Sequence, residues 1–136
     1  MVEETCGSEH SAQRQTTVLL IDDDDAVRWT TAEILRDANH LVVEAADGTD
    51  GLERLQDSPI DVVVLDLSMP GTDGYGFLAA VDLPPPVIVV SAFIDDEMDP
   101  RFGSKVFGFI RKPAPPTRLL AMVATAVENG PAGRSF

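Results

Sequence analysis

Five short runs of aliphatic, largely β-branched residues recur along the chain at 17–21 (TVLLI), 41–45 (LVVEA), 62–66 (VVVLD), 87–91 (VIVVS) and 106–110 (VFGFI). They are nearly continuous rather than alternating, so both faces of each strand must be covered. A parallel sheet with helical crossovers meets that demand, and an antiparallel sandwich fits poorly. Residues 26–38 place Val27, Thr31, Ile34, Leu35 and Ala38 at helical spacing, with Asp25 as N-cap. Residues 48–57 repeat the pattern more weakly through Leu52 and Leu55. A third helix is predicted over 74–81, with Asp73 near its start and Phe77, Leu78 and Val81 toward the sheet. Pro115 and Pro116 suit the first positions of a last helix whose buried stripe is Leu119, Leu120, Val123 and Val127, with Gly130, Pro131 and Gly133 ending it.

The 92–105 stretch differs. Pro100, Gly103 and the acids of DDEMD leave room only for a short or distorted helix. Residues 1–16 carry no periodicity and read as a flexible leader, 17–129 as one folded domain, and 130–136 as a tail or the start of a linker to an effector. A chain of 136 residues with 44% hydrophobic content suits a single core and is too apolar for a disordered acidic chain. The net charge of -13 argues against a broad nucleic-acid or anionic-lipid surface. Cys6 is the lone cysteine, and neither a secretion signal nor an 18-residue apolar span is present. A soluble cytoplasmic domain without membrane contact is expected.

In an open parallel sheet the carboxyl ends of the strands form the ligand end. Asp22 and Asp23 follow the first run, Asp66 ends the third, Ser91 ends the fourth, and Lys112 follows the fifth by two residues. Three carboxylates brought together repel and raise one another's pKa unless a cation lies among them. A hard divalent ion, Mg2+, is therefore expected on Asp22, Asp23 and Asp66 with a backbone carbonyl near Ser68, keeping a position for a phosphoryl oxygen. Lys105 and Lys112 are the only two lysines, so the role of Lys112 is not easily delegated. Cys6 and His10 sit in the leader, and His40 reads as an ordinary solvated or boundary histidine.

VLLIDDD at 18–24, DLSMPGTDG at 66–74, VSA at 90–92 and FIRKP at 109–113 resemble, in order, the signatures of the response-regulator receiver family of two-component signalling. The resemblance covers about residues 17–128. It implies an α/β fold, a doubly wound five-stranded parallel sheet in the flavodoxin-like order 2-1-3-4-5, here with a short or distorted fourth helix. It implies that Asp66 is the phosphoacceptor, taking a phosphoryl group from a histidine kinase or a histidine phosphotransfer protein. Asp22 and Asp23 would hold Mg2+, and Lys112 would bind a phosphoryl oxygen or pair with Asp66 before transfer. Ser91 corresponds to the hydroxyl that bonds a phosphoryl oxygen, and Phe109 to the switching aromatic that turns the surface around the fourth helix and fifth strand. Met69 and Pro70 look like turn residues of the loop after Asp66, and Ala92 leaves phosphoryl access open.

The family's output modes imply a homodimer or an attached effector domain as further partners. Two features depart from the usual pattern: 92–105 lacks a long alanine-rich helix, and KPAPP replaces the common KPF. Both flank the expected output face. Competing readings are a phosphorylation-independent docking module and a Mg2+-dependent phosphohydrolase. The first is opposed by the presence of Asp22, Asp23, Asp66, Ser91 and Lys112 together, and the second by Ser68, which stands where many aspartate-nucleophile hydrolases carry a second acid. The expected role is signalling, not metabolic turnover.

Overall fold

A computed structural model describes residues 15–66, 73–82, 84–91 and 105–129. The chain runs β1 (Thr17–Ile21), α1 (Asp25–Asp37), β2 (Leu41–Ala45), α2 (Gly48–Asp57), β3 (Val62–Asp66), α3 (Asp73–Ala80), β4 (Val87–Ser91), β5 (Val106–Arg111) and α4 (Pro116–Asn129). The strands form one five-stranded sheet in the order β2-β1-β3-β4-β5, and every pairing is parallel. The predicted crossover helix within 92–105 falls almost wholly outside the described residues.

Alternation along the strands divides the core in two. Val18, Leu20, Val62, Val64, Ile88 and Val90 point to one face and pack with Ala32 and Leu35 of α1 and Leu119, Val123 and Ala126 of α4. Leu19, Ile21, Val63, Leu65, Val87 and Val89 point to the other and pack with Phe77 and Leu78 of α3 and Leu52 and Leu55 of α2. Covering both faces is the physical reason the strand sequences are continuous rather than alternating. β3 and β4 lie inside the sheet and are buried at all five positions each.

Close approach on the second face requires Gly51 in α2. A Cβ there would stand 2.5 Å from Ile21 Cδ1 and 3.4 Å from Phe77 Cδ1. On the opposite edge, the β4–β5 register passes from Val87↔Val106 directly to Ile88↔Gly108. Phe107 is thus the extra residue of a bulge, 39% exposed, and Phe109 pairs with Val89 and packs against the same core face.

α1 begins differently from the expectation. Asp24, not Asp25, is the N-cap: its backbone is extended, and its carboxylate accepts from Ala26 N at 3.0 Å and Val27 N at 3.1 Å. In a run of four aspartates the register depends on the turn leaving β1, which Asp24 N fixes by donating to Asp22 Oδ1 at 2.9 Å. The expected stripe on α1 is also only partly buried. Ala32 and Leu35 are fully enclosed, whereas Val27 is 37% exposed and Ala38 is exposed. α1 ends in a Schellman motif, with His40 N bonded to Leu35 O at 3.1 Å, Asn39 N bonded to Arg36 O at 2.9 Å, and Asn39 at φ 73°. Burial lowers the His40 imidazole below its ordinary pKa, consistent with its boundary position.

Candidate functional site

The ends of β1, β3, β4 and β5 deliver the site groups, because parallel strands terminate along a common edge. Asp22 directly follows β1 and is 3% exposed, and Asp66 is the last residue of β3 at 4%. Asp23, the next residue after Asp22, is exposed. One carboxylate oxygen from each of Asp22, Asp23 and Asp66 lies within 4.8 Å of the others. β5 continues to Arg111, so Lys112 follows it immediately, and its Nζ stands 2.9 Å from Asp66 Oδ2. Lys112 N donates to Ser91 O at 3.0 Å, which ties the lysine's main chain to the end of β4. Ser91 itself is buried.

The electrostatics of the cluster are unbalanced. Asp22 is pushed up to about 7, first by burial and then by the charge and hydrogen bonding of Asp66. The Asp24 amide and the Lys112 charge pull it the other way without overcoming burial. Three oxygen donors with too little positive charge among them are a fitting set for a hard divalent cation, which would remove the penalty on the ionised carboxylates. Ser68, whose neighbourhood was expected to supply a carbonyl, lies outside the described residues.

A cavity of about 380 Å³ opens beside the acids, between α1 and the segment joining β5 to α4. Asp22, Asp66 and Lys112 form its polar end, and Leu20, Val64 and Val90 its floor. The partly unfilled face of α1, with Val27, Thr31 and Ile34, forms one wall. Asp66 is thus buried from bulk solvent yet faces a space that an incoming group can enter.

The family model for the response regulator receiver domain matches residues 18–124. The chain belongs to the response-regulator receiver family. The protein-glutamate methylesterase/protein-glutamine glutaminase 1 of Myxococcus xanthus is 38% identical over 87% of this chain and 35% of its own length. Transcriptional regulatory protein AfsQ1 of Streptomyces coelicolor is 38% identical over 59% of this chain and 36% of its own. The receiver thus spans about a third of the length of these curated relatives. Among solved structures, chemotaxis response regulator CheY4 of Vibrio cholerae aligns with a TM-score of 0.72 at 28% identity, covering 82% of this chain and 98% of that one. A response regulator from Chloroflexus aurantiacus aligns at 0.73 and 27% identity, covering 84% and 98%.

The fold brings Asp22, Asp23, Asp66 and Lys112 together at the carboxyl end of the sheet. Phe109 is partly buried against the core face shared with Val89. Trp29 is 62% exposed on α1. Sequence reasoning passed over Arg28, whose Nη1 donates to the Asp22 carbonyl at 2.7 Å. Its signal was present only as an acid three residues before a base at the start of a helix. Among the described residues no helix is long and apolar enough to cross a membrane.

Proposed function

We propose that this receiver accepts a phosphoryl group on Asp66 from a phosphohistidine of a histidine kinase or phosphotransfer protein, with Mg2+ as its cation. The observation that carries the reading is the Asp66 carboxylate at the buried end of β3, with Lys112 at 2.9 Å and two further carboxylates converging on it. An Asp66 oxygen attacks phosphorus, the P–N bond breaks, and the imidazole leaves as the acyl phosphate forms. A carboxylate is already the nucleophilic form at neutral pH, so the residues around it act by position and charge. Asp22 and Asp23 would hold Mg2+, which when bound neutralises charge accumulating on the phosphoryl oxygens. Lys112 is placed to exchange its Asp66 contact for one to a phosphoryl oxygen.

Ser91, at the next strand end and joined through its carbonyl to Lys112, is the hydroxyl that would turn toward the phosphoryl group. That movement vacates volume beside β5, and Phe109 responds by changing its packing on the surface around β5. The sensor kinase CckA of Brucella abortus is 33% identical over 83% of this chain, so segments of this type occur within kinases as well as in effector-bearing regulators. A kinase or phosphotransfer partner, and an effector or second copy downstream, follow from this reading. So does a cytoplasmic location, where such donors work.

The test is intact mass after exposure to a small-molecule phosphodonor with Mg2+. Wild type is expected to gain one phosphoryl group that is acid-stable and base-labile, and Asp66→Asn to gain none. A folded wild-type protein that gains nothing, under conditions that label another receiver, sinks the phosphoacceptor reading.

A further inference from the structure

We propose that Arg28 is a positioning residue for the cation site, acting through the main chain of Asp22. The inference rests on the proposal that Asp22, Asp23 and Asp66 hold a divalent cation. The Arg28 side chain is only 16% exposed, and its fork is used on three partners. Nη1 donates to the Asp22 carbonyl at 2.7 Å, Nε to Glu44 Oε1 at 3.2 Å, and Nη2 to Asp25 Oδ1 at 2.7 Å. These acceptors lie after β1, on β2 and at the start of α1. A planar guanidinium reaches three such directions at once, whereas an ammonium on the same helix is a compact charge without that fork.

The Asp22 amide donates to Ala45 O at 3.1 Å, and its Oδ1 accepts from Asp24 N at 2.9 Å. Its carbonyl is the remaining main-chain group, and Arg28 holds it with a charge-assisted bond. The carbonyl belongs to the peptide that joins Asp22 to Asp23, so its orientation sets the direction in which the chain leaves one ligand and presents the next. Arg28 does not touch the cation position. It fixes the peptide plane between two of the groups that would.

Arg36 provides the discriminating control. It bonds the same Glu44, at Oε2 and 3.0 Å, and the Val42 carbonyl at 3.4 Å, so it fastens α1 to β2 without reaching Asp22. Mg2+ titrations followed through the amide resonances of residues 22–24, with thermal midpoints taken in parallel, compare wild type, Arg28→Gln, Arg28→Lys and Arg36→Gln. Loss of a group that orients a metal ligand typically costs ten- to a hundredfold in affinity, so Arg28→Gln and Arg28→Lys should each weaken Mg2+ binding about tenfold. Arg36→Gln should stay within about twofold of wild type even where its midpoint falls as far.

Unchanged affinity in the Arg28 variants, or an equal loss in Arg36→Gln, overturns the positioning role while leaving the cation site standing. Wild type that fails to bind Mg2+ overturns the site itself, and the inference with it. If Arg28→Gln does not fold, Arg28→Lys, which keeps the charge but not the fork, decides the comparison.

Discussion

Lys112 is the residue whose loss should be felt most directly. Its side chain is 25% exposed and that of Asp66 is 5% exposed, so the pair sits at the boundary where a charge-assisted bond outweighs its desolvation. Lys112→Met keeps the length of the side chain but leaves Asp66 beside Asp22 without the ammonium at 2.9 Å. Urea denaturation at neutral pH in chelator should show a loss of about 2 kcal/mol, and phosphoryl uptake from a small donor should fall at least tenfold. Asp22, Asp23, Asp66 and Lys112 were legible in the sequence because each lies at a strand end, where β-branched runs stop at a charged residue. Arg28 was not legible. An Arg three residues after an Asp is most often a surface ion pair, and nothing in the pattern distinguishes the one that turns inward to a carbonyl.

Element boundaries show where local chemistry suffices. The strand limits at 17–21, 41–45, 62–66 and 87–91 and the helix at 48–57 follow from runs and spacing, because parallel strands and amphipathic helices are read from side-chain period alone. α1 was less legible at both ends. Four consecutive aspartates are equivalent as caps until the turn after β1 selects Asp24, and Val27 is not enclosed because the space beside it is the cavity at the site. The C-terminal end of α1 carries a sharper consequence. Asn39 occupies the left-handed region at φ 73°, which glycine enters freely and a β-branched side chain resists. Thermal denaturation should therefore find Asn39→Gly close to neutral and Asn39→Val destabilised by about 1–2 kcal/mol.

At the scale of the molecule, the charge of -13 acts in two ways that salt separates. General repulsion among surface acids is screened by any electrolyte, whereas occupancy of the acidic cluster depends on the ion. Mg2+ at ten times its dissociation constant should stabilise the fold by about 1.4 kcal/mol, raising the thermal midpoint by roughly 5 °C beyond NaCl of equal ionic strength. Asp22→Asn should keep the NaCl response and lose the excess. The sheet order was legible through the family's motifs, but the irregularity in β5 was not, since VFGFI reads as an ordinary run. Phe107 is a supernumerary residue there, and its presence decides odd from even for everything after it. Val106 and Gly108 would share a face in a regular strand; with Phe107 set aside, they face opposite cores, toward Val87 and Met122 respectively. A chain shortened by Phe107 alone would keep Phe109, Ile110 and Lys112 in their places, whereas one shortened by Gly108 would have to renounce either the bulge or the side on which Phe109 lies. The strand that ends at the proposed phosphoryl site therefore carries its own counting device, and single-residue length changes within 106–109 are not equivalent.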